Sequence, residues 1–233
     1  DVCSSDLAKT IALVSAIENG IITPDSTRMC RRVVKVDGQT VTCSHPDLKR
    51  ALTPAEALAY SCNDFFLSLA PRLSRQALNA TRIAAGLPPI TPGTPMASAI
   101  VGLAGPKTTP RALIDVMARL AAAGKDDPVP MKPETRAVLL QGLRGAADYG
   151  TASAFKEAGV SALAKTGTIL MPNGAALGLV VALTPADKPT RGIVVVAPGG
   201  AGMDAAAIAA QRGRDQLAGS APNPQRSIST PPP

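Results

Sequence analysis

Tryptophan is absent from this 233-residue chain, which holds one histidine, two tyrosines and three phenylalanines. With aromatics at 2%, its core has to be assembled from Ala, Leu, Val and Ile. The apolar content of 45% is enough for one large domain or two small lobes. The same scarcity removes the stacking platforms that a nucleic-acid binder uses. The net charge of +7 is spread out, with no basic run longer than a pair such as Arg31-Arg32. No nucleic-acid partner is therefore expected, and the charge suits a mild attraction to an anionic polymer or membrane surface. No apolar run is long enough to span a membrane, the start is not a signal peptide, and there is no internal repeat. The cysteines Cys3, Cys30, Cys43 and Cys62 show no metal-ligand spacing, and His45 has no evident ligand partner, so no metal is expected. Cys30 and Cys43 flank a predicted hairpin. They are either a disulfide, in an oxidising compartment, or two buried free thiols.

What the chain does have is residues 163–168, reading L-A-K-T-G-T. Lys165, Thr166, Gly167 and Thr168 open an apolar run that ends at the turn Pro172-Asn173-Gly174, the pattern of a strand. On a strand Lys165 and Gly167 point to one face, and Thr166 and Thr168 to the other. Gly167 leaves room for another backbone to lie close. A cation, two hydroxyls and an open strand edge suit an extended peptide ending in a carboxylate. Alternatively, Lys165 is a solvated charge and Gly167 an irregularity in a sheet. Upstream, Ser61-Cys62-Asn63 fits S-x-N, which precedes K-T-G in serine acyl-transfer enzymes of the S-x-x-K type.

Residues 1–7, Asp-Val-Cys-Ser-Ser-Asp-Leu, carry no periodicity. Back-translated as GAC-GTG-TGC-TCT-TCC-GAT-CT, they spell the end of a common sequencing-library adapter. A non-native leader over 1–7 is expected, with native sequence beginning near Ala8; the alternative is a genuine hydrophilic N-terminus. Over 8–19, Ile11, Leu13, Val14 and Ile17 recur at helical spacing and Gly20 follows as a stop, which puts Lys9 in the first turn of a buried helix. A hairpin is predicted over 31–36 and 39–42 around Asp37-Gly38. Thr53-Pro54-Ala55-Glu56 is a capping box with proline at the first helical position, starting a helix that runs to Tyr60. Ser61 then falls in a break before a helix over 63–73. Its hydroxyl is placed either in a cleft or as the cap of that helix. Further helices are predicted over 75–85, 110–123, 133–143 and 204–217, with a short one opening at Gly150-Thr151-Ala152. Strands are predicted over 176–183 and 192–197. The Pro- and Gly-rich residues 88–106 read as loop, and the Pro-rich residues 219–233 as a disordered tail.

Residues 8–218 resemble the transpeptidase domain of penicillin-binding proteins, closer to the large peptidoglycan synthases than to the β-lactamases. The residues that carry the resemblance are Ala8-Lys9-Thr10, Ser61-Cys62-Asn63-Asp64-Phe65-Phe66, Thr108-Thr109-Pro110, Gly150-Thr151-Ala152 and Lys165-Thr166-Gly167-Thr168. The resemblance implies an α/β (α+β) fold with a partial antiparallel sheet of about three strands plus a C-terminal helix, an all-helical lobe, and the family's first strands lying upstream. It implies a serine that attacks a D-Ala-D-Ala stem peptide, with Lys9 as its base if burial and nearby positive charge lower its pKa. Ser61 would relay a proton to the leaving amine, Asn63 would orient Lys9 and substrate, and Lys165 would supply positive potential. Thr166 and Thr168 would bind the terminal carboxylate beside Gly167, and the Thr168 N–H would give half of the oxyanion hole. No cofactor is implied. The implied partners are peptidoglycan stem peptides and β-lactam antibiotics, the place is outside the cytoplasm, and membrane contact comes only through an upstream anchor. One departure is central. The serine's place, three residues before Lys9, holds Asp6, a far weaker acylating nucleophile that would pair with Lys9. A non-catalytic module that binds peptidoglycan peptides and a β-lactamase-type hydrolase are the alternatives.

Overall fold

The computed structural model describes residues 2–3, 5–122, 128–170 and 174–219. In chain order the elements are β1 (Val2–Cys3), α1 (Ser5–Glu18), β2 (Val33–Val36), β3 (Gln39–Thr42), α2 (Pro54–Ala59), α3 (Asn63–Leu67), α4 (Arg75–Ala84) and α5 (Met96–Val101). They continue with β4 (Lys107–Thr108), α6 (Pro110–Ala121), α7 (Pro133–Asp148), α8 (Ala154–Glu157), β5 (Leu163–Leu170), β6 (Ala176–Thr184), β7 (Arg191–Pro198) and α9 (Gly202–Gly219). The main sheet is antiparallel in the order β5-β6-β7, and two short pairs, β1-β4 and β2-β3, stand apart from it. This is the expected α+β arrangement of a three-stranded sheet, a C-terminal helix and a helical lobe.

Strand alternation divides the core in two. Leu163, Leu179, Val181 and Leu183 face the helical lobe, where they join Ile11, Leu58, Phe66, Leu113 and Leu139. Ala164, Val180 and Ala182 face the other way, onto Phe155 of α8 and Ala205, Ala206, Ala209 and Ala210 of α9. Both faces of β6 are thus covered, and its sequence is accordingly apolar up to the closing Thr184. The alanine stripe on α9 lets that helix lie close to the sheet. At its start the approach is closest: a Cβ on Gly202 would sit 2.6 Å from the Gly167 carbonyl oxygen. This first turn of α9 lies on the Thr166 and Thr168 face of β5, opposite the face that Gly167 leaves bare.

Local chemistry sets most element boundaries. Thr53 caps α2 in a capping box with Glu56, and Pro54 occupies the first turn. Asp37 and Gly38 both have positive φ, +46° and +83°, the hairpin turn matched to strand twist. Four boundaries differ from expectation. Helix α1 starts at Ser5 rather than Ala8. Helix α3 stops at Leu67 because Pro71 lacks an N–H and disfavours helical backbone at Ala70, so residues 68–72 form turns. Helix α5 interrupts the expected loop over 88–106: Ile100 and Val101 bury against the core and Gly102, at φ +81°, ends the helix. Helix α7 runs on past Leu143 to Asp148 because Gly142 and Gly145 let it pack tightly on α2, where a Cβ at Gly142 would meet Leu58 at 2.9 Å. The tail over 219–233 lies almost wholly outside the described residues, as do Pro172 and Asn173 of the turn after β5.

Candidate active site

Helix α1 and strand β5 bring two lysines together over the break between α2 and α3. Lys9 and Lys165 are 7% and 1% exposed, so neither is a solvated surface charge. The Lys9 ammonium donates to the Ser61 hydroxyl at 2.9 Å, the Ser61 carbonyl at 2.9 Å and Asn63 Oδ1 at 2.6 Å. The Lys165 ammonium donates to the same Ser61 hydroxyl at 3.0 Å and to the Thr166 carbonyl at 2.5 Å. Two buried cations therefore share one hydroxyl. With both oxygen lone pairs accepting, the O–H of Ser61 is left free to donate elsewhere.

The backbone at Ser61 is bent to make this possible. Its φ is +51°, in the left-handed region that a non-glycine residue enters only when its surroundings hold it there. The α3 cap position falls to Cys62, which makes no side-chain capping bond. Ser61 is thus not a helix cap. Asn63 is held from the other side, where its Nδ2 donates to the Thr42 carbonyl of β3 at 2.8 Å.

Thr166 and Thr168 are placed differently. The Thr166 hydroxyl donates to Thr151 Oγ1 at 2.5 Å, and Thr151 N–H donates to the Ala59 carbonyl at 3.2 Å. Thr168 Oγ1 accepts from the Gly202 N–H at 3.0 Å, at the start of α9. Neither hydroxyl belongs to the Lys9–Ser61–Lys165 cluster; both lock β5 to its neighbours. β5 pairs with β6 on one side alone among the described residues, so its outer edge carries backbone groups open to an added strand. Thr151 and Thr42 are site-supporting residues that motif reading missed. Thr151 sits in the Gly150-Thr151-Ala152 match, which was the one available signal. Thr42 acts through its carbonyl and leaves no side-chain signature. Asp6 lies one turn before Lys9 in α1.

The residue after Asn63 anchors the site from below. Asp64, fully buried, accepts from Arg28 Nε at 3.0 Å, Arg31 Nε at 2.8 Å and the Arg31 backbone N–H at 3.2 Å. Burial pushes its carboxyl up, but the two guanidinium bonds outweigh that and hold it below the usual carboxylate range. Behind Ser61, the fold also gathers residues that are scattered in sequence. Cys30, Cys43, His45 and Cys62 place one ligand atom each within 4.8 Å of one another. The expectation of no metal arrangement rested on spacing along the chain, and the hairpin and the turn at Ser61 override it by bringing three distant segments together. Cys30 and Cys43 are free thiols in this structure, Cys43 buried and Cys30 half-buried.

Residues 7–218 match the model of the penicillin binding protein transpeptidase domain. No curated protein matches the sequence. Among solved structures, the chain is similar to Pseudomonas aeruginosa PBP2 in complex with WCK 5153, at 18% identity and a TM-score of 0.72 over 91% of this chain and 58% of that one. It is similar to Helicobacter pylori PBP2 at 15% identity and 0.75, over 94% and 50%. It is similar to PBPA from Mycobacterium tuberculosis at 20% identity and 0.68, over 91% and 60%. The chain therefore spans about half to three-fifths of the length of these proteins.

Proposed function

The chain belongs to the penicillin-binding protein transpeptidase family, and from that premise we propose that it is the part of a peptidoglycan D,D-transpeptidase that recognises D-Ala-D-Ala stem peptides and β-lactams. The observation that carries this reading is the single hydroxyl of Ser61 held by two buried lysines beside an open strand edge. In an acyl transfer, a base one helical turn from the nucleophile takes its proton, and a second group returns a proton to the departing amine. Lys9, in its neutral amine form, stands in the first place. Ser61, with its lone pairs occupied and its O–H free, stands in the second. Lys165 lends positive potential to the carboxylate end of a peptide that adds to β5 as an extra strand. The Thr168 N–H is the chain's oxyanion donor in this scheme. Thr166 and Thr168 flank that carboxylate beside Gly167: Thr168 Oγ1 only accepts, from the Gly202 N–H, so its O–H can donate to the carboxylate, while the Thr166 O–H is bonded to Thr151. The reaction takes place outside the cytoplasm, where its polymer lies.

With Asp6 one turn before Lys9, the chain as written makes no acyl-serine, and its own activity is recognition without turnover. The test is D-alanine release from a D-Ala-D-Ala-terminated stem peptide by the parent chain and by Asp6→Ser. The parent is expected to bind the peptide and release nothing, while D6S releases D-alanine. Failure of D6S to release D-alanine while still binding the peptide would leave the non-catalytic module as the correct reading.

A further inference from the structure

Cys30, Cys43, His45 and Cys62 do nothing in the acyl-transfer chemistry, yet they form the most concentrated set of soft ligands in the described structure. Cys43, His45 and Cys62 are 4%, 5% and 0% exposed, and Cys30 is half-buried. The Cys43 and Cys62 sulfurs are 3.9 Å apart. Four-coordinate zinc with Zn–S bonds of about 2.3 Å sets neighbouring sulfurs about 3.8 Å apart. A disulfide needs them at about 2.05 Å. The spacing is that of a metal's coordination edge.

The histidine gives an independent second observation. His45 Nδ1 lies 2.8 Å from the Pro46 carbonyl, which can only accept, and 3.2 Å from Arg32 Nη1, which can only donate. The carbonyl contact is the shorter and Arg32 Nη1 has the His45 and Pro46 carbonyls as acceptors, which assigns the proton to Nδ1 and the lone pair to Nε2. That Nε2 is buried and makes no hydrogen bond. A buried ring nitrogen left bare costs free energy unless something takes its lone pair. An Nδ1–H donated to a backbone carbonyl is the arrangement that orients metal-bound imidazoles. The ring also packs on Tyr60 at 5.6 Å, and Arg32 closes the outer side by donating to the carbonyls of His45 and Pro46.

We propose that Cys30, Cys43, His45 and Cys62 are a four-ligand Cys3His site for Zn2+. Three sulfurs and one imidazole select a borderline-soft ion over Mg2+ or Ca2+. Four protein ligands leave no position for water or substrate, so the role is structural. The ion joins the segment carrying Cys30, the strand end carrying Cys43 and His45, and the residue between Ser61 and Asn63. It clamps the β2–β3 hairpin, whose Thr42 carbonyl orients Asn63, onto the active-site turn.

The test is elemental analysis of the 233-residue chain purified with its thiols reduced, paired with the spectrum of the Co2+-substituted chain. One zinc per chain is expected, together with thiolate-to-cobalt charge transfer and the intense visible bands of a tetrahedral site. Separate C30S and H45A variants are expected to lose at least tenfold in zinc affinity. Cys30 is the most exposed ligand, so C30S is the variant least prone to misfold, and circular dichroism reports whether each stays folded. A folded, reduced chain that holds no zinc would overturn the proposal. So would a Cys43–Cys62 disulfide in the protein as isolated, or zinc affinity unchanged in both variants.

Discussion

Ser61, Cys62 and Asn63 serve two clusters that face opposite ways. Ser61 and Asn63 turn toward Lys9 and Lys165, and Cys62 turns back to Cys30, Cys43 and His45. The first cluster is hydrogen-bonded throughout and presents charge to an open strand edge. The second is soft and largely buried, with Tyr60 packed on the His45 ring, Arg32 bonded to the carbonyls beside it and Cys30 half-buried at its outer side. The positive φ at Ser61 separates the two. Chemistry is presented on one side of the turn, and on the other side it is held in place.

The largest expected effect separates these roles outright. In the D6S background, Lys9→Met should lower the rate of acylation by a fluorescent penicillin by about 10²–10⁴-fold, the usual worth of a positioned base. Its zinc content should stay at one per chain. If K9M also loses zinc, the two clusters are one structural unit and the comparison fails. Metal removal should act the other way. At free zinc about 1,000 times its Kd, the bound ion adds about 4 kcal/mol, so a chelator should lower Tm by about 8–16 °C in calorimetry.

Asp64 lies between the two, since it holds the segment from Arg28 to Arg31 that carries Cys30. Asp64→Asn leaves two guanidinium groups without their buried counter-charge, and should cost about 3 kcal/mol in urea unfolding. Because the folded-state carboxyl sits below its ordinary value, its contribution is fully present above the unfolded carboxylate range. It is lost as pH falls through the lower folded value. Parent and D64N stabilities should therefore converge in acid. A constant gap down to low pH would show that Asp64 does not act through its charge.

What could be read from the sequence was what is local. Asp37-Gly38, the Thr53–Glu56 capping box and the apolar runs of β5, β6 and β7 each state their structure within a few residues, and each formed where expected. The lysines, Ser61 and Asn63 were found because motif order stands in for distance, although 52 residues separate Lys9 from Ser61 and 104 separate Ser61 from Lys165. The cysteine and histidine cluster has no such motif. Its members meet only after the hairpin folds, and no interval between them repeats a metal-binding spacing. Helix α5 was hidden for a different reason: prolines and glycines flank it on both sides, and its six residues are too few to show a period.

The smallest expected effect concerns Thr151, which ties β5 to the Ala59 carbonyl just before the active-site turn. Thr151→Val removes the Thr166–Thr151 bond while keeping shape, and should cost about 1 kcal/mol of stability with zinc content unchanged. A larger loss would mean that the strand edge depends on this bond more than on packing against β6.

The most direct measurement is intact-mass spectrometry of the parent chain and D6S after exposure to benzylpenicillin, with the adduct located by peptide mapping. No covalent adduct is expected on the parent, and a single penicilloyl group is expected at position 6 of D6S. An adduct on the parent at any of Lys9, Ser61 or Lys165, or none on a folded D6S, would contradict this expectation.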